Sequence, residues 1–124
     1  MVEYTKGLHK IADDVWAWLL PDGSWGWSNA GLVAGDGASA LVDTLFDLAL
    51  TREMLDAMGP VTAQRPITDA VNTHANGDHC FGNELLGDDV RIHASVHAHE
   101  EMHDAPPPML AALLTEDLGP VLTP

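Results

Sequence analysis

From Gly7 the chain is largely polar until Val15-Trp16-Ala17-Trp18-Leu19-Leu20, an apolar run of strand rather than helix length. Pro21-Asp22-Gly23-Ser24 stops it with turn chemistry: proline fixes φ, aspartate bonds its own backbone and glycine takes positive φ. Trp25-Gly26-Trp27-Ser28-Asn29 then leads into Ala30 to Val33, which predicts a hairpin. Trp16, Trp18, Trp25 and Trp27 would alternate on its two arms and pair across the strands. Gly35-Asp36-Gly37 turns the chain again, and Ala40-Leu41-Val42 runs into Asp43-Thr44, giving three or four short antiparallel strands.

At Phe46 the period lengthens. Phe46, Leu50, Met54 and Met58 recur every four residues with Leu55 beside them, which predicts an amphipathic helix over Phe46 to Met58. Asp47 is its candidate cap, and Gly59-Pro60 its candidate stop. Ile67 to Thr73 reads as a strand, His74 to Asp78 as a polar loop, and His79 to Leu86 as a short helix. A short strand at Val90 to His93 and a helix from about Ser95 to Asp104 follow, with Pro106-Pro107-Pro108 ending that helix and Met109 to Leu118 forming a last one. The order predicts one α+β domain over residues 1–124, a β-meander whose sheet is covered by helices on one face. No second apolar layer remains for the other face, so a partner chain or a missing segment is expected to bury it.

Composition narrows the function classes. The chain has 124 residues, 46% hydrophobic and 19% charged, as suits one domain with one core. Five Lys plus Arg against 19 Asp plus Glu leave a formal net charge of -14, scattered rather than in one run. That field repels phosphate backbones and anionic headgroups, so the expected partner is a small-molecule substrate, with no nucleic acid and no membrane. The single Cys80 cannot form an internal disulfide, and residues 1–10 lack the cationic start and apolar core of a signal peptide. A soluble cytoplasmic protein is expected.

The chemistry concentrates in Thr73-His74-Ala75-Asn76-Gly77-Asp78-His79, which packs two imidazoles, a carboxylate and an amide where a strand ends in a loop. Imidazole nitrogen and carboxylate oxygen suit a borderline ion such as Zn²⁺, and such a loop can turn several side chains toward one point. Gly77 is expected to permit a bend that a Cβ would restrict, and the helix starting near Asp78 favours a negative charge there. The alternative is a capped helix start with surface histidines.

These residues resemble the H-x-H-x-D-H metal motif of the metallo-β-lactamase superfamily, with Asn76 in place of the second His. Asp43, closing the strand Ala40-Leu41-Val42, resembles the aspartate that closes an early strand of that family. The order of meander, helix and strand is similar to the N-terminal half of its αββα sandwich, and Ile92-His93-Ala94-Ser95 resembles the strand and helix that come next. The resemblance implies a metallo-β-lactamase-like αβ half-sandwich and a zinc-dependent hydrolase of ester, thioester, lactone, sulfate or amide bonds. His74, Asp78 and His79 would be metal ligands, and Asp78 would also orient the attacking zinc-bound water. Asp43 would orient the loop or a ligating ring, and Asn76 would weaken the first metal position, leaving one or two Zn²⁺ per complete site, or would instead donate a hydrogen bond. The family's later ligands, a further His, a bridging Asp and a final His, have no counterpart here. A truncated chain, a missing C-terminal half, or a homodimer that completes the fold is therefore expected. The alternative reading is a non-catalytic metal-binding or dimerisation module.

Three further signals compete. His99-Glu100-Glu101-Met102-His103 fits the H-E-x-x-H pattern of zinc proteases, but Pro106 to Pro108 follow within a turn, and His93, His97, His99 and His103 are expected on a solvated helix and its approach. Trp25 and Trp27 are candidates for core packing or for an apolar wall beside the metal loop. Cys80, next to Phe81, is expected to be buried and inert rather than a ligand.

Overall fold

A computed structural model of the chain describes residues 3–104 and 106–113. Six strands form one mixed sheet in chain order: β1 (Gly7–Ala12), β2 (Val15–Leu19), β3 (Ala30–Ala34), β4 (Ser39–Val42), β5 (Ile67–Val71) and β6 (Arg91–His93). The first four are antiparallel neighbours, and β5 and β6 continue the sheet in parallel with β4. The helices are α1 (Leu48–Thr62), α2 (Gly77–Cys80), α3 (Val96–Glu101) and α4 (Pro107–Leu113), with a 3-10 helix at Phe81–Leu85 running on from α2.

One face of the sheet carries Trp18, Ala30, Leu32, Leu41 and Ala70, and α1 lays Met54 and Met58 on it to close the core. Period-two alternation sends Val33 and Val71 to the other face, where they are 44% and 39% exposed. Val15, Ala17, Ala40 and Val42 share that face by register with them. The expectation of a sheet covered on one face thus matches the observed architecture.

Asp47 caps α1, its Oδ1 accepting from the Leu50 N–H at 2.7 Å. The expected stop at Gly59-Pro60 is corrected: α1 runs through Pro60 to Thr62. Val61 packs against the core, so one more turn buries apolar surface that offsets the hydrogen bond proline cannot make. The hairpin is also corrected. Trp16 and Trp18 pair with Leu32 and Ala30, while Trp25 and Trp27 lie in the loop between β2 and β3 and form no cross-strand pair. The polar segment left without an element becomes β1, whose Leu8 and Lys10 pair with Trp18 and Trp16. Pro107 and Pro108 begin α4 instead of ending α3, since proline fits a helix's first turn. The predicted end of the last helix lies outside the described residues.

Candidate functional site

β4 and β5 run parallel, so their C-terminal ends open at the same edge, the usual place for a site in such sheets. Asp43 follows β4 with φ of 63°, a left-handed conformation that a non-glycine residue holds only where its surroundings impose it. Its N–H donates to the Val71 carbonyl at 2.9 Å, tying the end of β4 to the end of β5. The Asp43 side chain, 6% exposed, accepts three hydrogen bonds: the Thr73 N–H at 2.7 Å, the Thr73 hydroxyl at 2.6 Å and His79 Nδ1 at 2.9 Å. A buried carboxylate held by three donors is a rigid anchor rather than a reagent.

That anchor sets His79. With Nδ1 held by Asp43, Nε2 lies 3.5 Å from Asp78 Oδ2, and the His74 ring stands 4.7 Å away between centroids. His74 is exposed, its Nδ1 2.8 Å from the Thr73 hydroxyl oxygen. The backbone of His79 is fixed from behind: its carbonyl accepts from the Thr44 N–H at 3.1 Å and from the buried Asn72 amide at 2.9 Å. Asn83 links Asn72 to Thr44, accepting from the Thr44 hydroxyl at 2.9 Å and donating to Asn72 Oδ1 at 2.6 Å. The Ser28 hydroxyl from the β2–β3 loop donates to the Asp78 carbonyl.

Two glycines allow this close packing. A Cβ on Gly77 would fall inside van der Waals contact of the Phe81 ring, and one on Gly82 would overlap Thr51. The expected bend at Gly77 is therefore corrected. Its backbone is not in the positive-φ region, and the absent side chain makes room for an aromatic ring. Cys80 is buried, with Sγ 3.4 Å from the carbonyls of Ala75 and Asn76. Burial pushes its thiol pKa up, and the charges of Asp43 and Asp78 add to that, the opposite of what a nucleophilic thiolate needs.

A cavity of about 540 Å³ adjoins the loop, lined by Trp25, Gly26 and Phe46 together with Ala75 to Asp78, Glu101 and Asp104. Trp25 is 77% exposed and meets Phe46 edge to face at 5.1 Å. Of the two loop tryptophans only Trp25 lines this cavity; Trp27 stands outside it. Asn76 also lines it, and in place of the hydrogen bond expected of its amide, the hydrogen bonds found at Asn76 are accepted by its backbone carbonyl, from the His79 N–H at 2.9 Å and the Cys80 thiol at 3.4 Å. Sequence reasoning missed Phe46, Glu101 and Asp104, which reach the cavity only through the tertiary fold. It also missed Thr73, whose one signal is that it directly precedes His74.

The donors fit a zinc ion in kind, being two imidazoles and one carboxylate. In number they are an open set: among the described residues, no three His, Cys, Asp or Glu side chains converge on one point as they stand.

A sequence profile of the metallo-beta-lactamase superfamily matches residues 23–118. The chain belongs to the metallo-β-lactamase superfamily. Its structure is similar to a metallo-beta-lactamase from Hirschia baltica, with 25% identity, a TM-score of 0.63, and coverage of 80% of this chain and 48% of that one. The mono-zinc form of the metallo-beta-lactamase FIM-1 from Pseudomonas aeruginosa matches with 25% identity and a TM-score of 0.62, over 82% and 48% of the two chains. A metallo-beta-lactamase from Erythrobacter litoralis matches with 26% identity and a TM-score of 0.63, over 78% and 44%. Comparison with curated proteins gives no match. The chain thus spans about half the length of the solved superfamily structures it resembles, consistent with the half-sandwich read from its sequence. No helix among the described residues is long and apolar enough to cross a membrane.

Proposed function

We propose that the chain carries the zinc-binding loop of a metallo-β-lactamase superfamily hydrolase, with His74, Asp78 and His79 as its metal ligands. The observation that supports this most is the setting of His79, whose Nδ1 is held by the buried Asp43 while Nε2 faces Asp78 at 3.5 Å. An imidazole held on one nitrogen by a carboxylate is the usual arrangement of a metal ligand. Zinc bound there supplies Lewis acidity for hydrolysis of an ester, thioester, lactone, sulfate or amide. Asp78 would help hold the ion and orient a water beside it, and Asp43 keeps the His79 ring from turning. Trp25 and Phe46 give a substrate an apolar wall beside the loop. Asn76, an amide where the motif has imidazole, weakens the first of two metal positions, so one zinc per site is the expected loading. The remaining ligands come from a C-terminal half or a second copy of the chain, seated on the sheet face that carries Val33 and Val71. A cytoplasmic location fits the single unpaired thiol of Cys80.

Asn76 and the half-length span favour a second reading, a metal-binding or dimerisation module without catalysis. Zinc titration by calorimetry, followed by assays on nitrophenyl esters, a thioester, a lactone and an aryl sulfate, separates the two. Turnover that Asp78→Ala abolishes supports the hydrolase, zinc binding without turnover supports the metal-binding module, and no zinc uptake by wild type contradicts the hydrolase and leaves only a dimerisation module.

A further inference from the structure

We propose that Thr73 is a positioning residue through which the single carboxylate of Asp43 sets the protonated nitrogen of both site imidazoles, His79 directly and His74 by way of the Thr73 hydroxyl. Asp43 Oδ2 lies 2.6 Å from Thr73 Oγ1 and 2.9 Å from His79 Nδ1. A carboxylate only accepts, so His79 brings its hydrogen on Nδ1 and the hydroxyl points its one hydrogen at Asp43. The reverse orientation would set two oxygen lone pairs against each other at 2.6 Å. With its hydrogen committed, Thr73 Oγ1 can only accept from His74 Nδ1 at 2.8 Å, so His74 also carries its hydrogen on Nδ1. Both rings then present a bare Nε2, the form a metal requires.

The backbone supports this relay. Thr73 N–H donates to Asp43 Oδ1 at 2.7 Å, so amide and hydroxyl of one residue clasp the two oxygens of the same carboxylate. These two bonds keep the hydroxyl between Asp43 and His74. His74 is exposed, and its Nδ1 bond to Thr73 is what orients a ring the core does not hold.

The inference rests on the zinc reading only for its effect on affinity, and the ring nitrogens can be examined without metal. Long-range proton–nitrogen NMR of the metal-free chain, at a pH alkaline to the imidazole range, should show both His74 and His79 protonated on Nδ1. Thr73→Val should turn His74 into a tautomer mixture and leave His79 unchanged; Thr73→Ser should restore the wild-type pattern. Zinc affinity should fall about 10–100-fold in Thr73→Val and stay within about threefold in Thr73→Ser. A wild-type His74 protonated on Nε2, or ring signals unmoved by Thr73→Val, would overturn the relay. The stated ring pattern in a chain that takes up no zinc would refute the zinc site and leave the relay standing.

Discussion

Two regions of this molecule concentrate histidines and carboxylates, and only one is organised. At the end of β4 and β5, the buried Asp43 holds His79 and, through Thr73, His74, while Asn72 and Thr44 fix the His79 backbone. On and after α3, the rings of His99 and His103 meet edge to face at 5.1 Å, and His97 pairs with Glu101 at 3.3 Å, all on exposed side chains. The second region matches a better-known zinc pattern in its letters, yet its partners all come from its own segment. A histidine pattern becomes a site when a different element, already buried, decides where each ring nitrogen points.

Substitutions can break or sharpen that contrast. The largest effect is expected from Asp78→Ala, which should lower zinc affinity about a hundredfold or more while circular dichroism stays native. Asp43→Asn should do two things at once. It leaves Thr73 and His79 donors facing an amide, so denaturant unfolding should show a loss of about 2–4 kcal/mol, and zinc affinity should drop about 10–100-fold. Gly77→Ala forces the Phe81 ring away and should cost about 1–3 kcal/mol by the same unfolding measurement.

The control on the other side is His103→Ala. It should change stability by less than about 0.5 kcal/mol and leave zinc affinity within about twofold, since the ring is exposed. A large loss there would move the metal site to α3.

The smallest effect is one of pH at the sheet edge. Asp69 on β5 accepts from Arg91 at 2.9 and 3.0 Å and lies 2.8 Å from His93 Nε2. Arg91 first, then His93 and Thr68, hold its carboxyl far below the ordinary value of 3.8. A depressed folded value means that the contribution of Asp69 is complete above pH 3.8 and fades as pH falls through the folded value. Amide exchange in β6 should therefore be insensitive to Asp69→Asn only in strong acid, and should quicken in that variant at neutral pH.

How much of this was legible in the sequence follows from how local each signal is. The loop from His74 to His79 could be read because its donors are consecutive, and Asp43 because it closes an apolar strand. Thr73 has the sequence signature of a strand's last residue, and its hydroxyl matters only through the tertiary bond to Asp43, thirty residues earlier in the chain. The hairpin was misplaced because alternating tryptophans carry the period of a strand. Trp25 and Trp27 instead sit in a loop whose base is tied by the Asn29 side chain to the Leu20 N–H at 2.9 Å. Pro60 ended the predicted helix on local grounds, whereas the core contact of Val61 is tertiary. Glu101 and Asp104 gave no sign of lining a cavity with Trp25, because segments so far apart in sequence come to one cavity only in the folded chain.

The most direct test of the central claim is native mass spectrometry of the purified chain with zinc counted per protomer, in wild type, Asp78→Ala and a His99→Ala/His103→Ala double variant. Zinc retained by wild type and the double variant but absent from Asp78→Ala would place the ion on the Asp43-anchored loop. Zinc lost only from the double variant, or absent from wild type in every oligomer, would contradict the account.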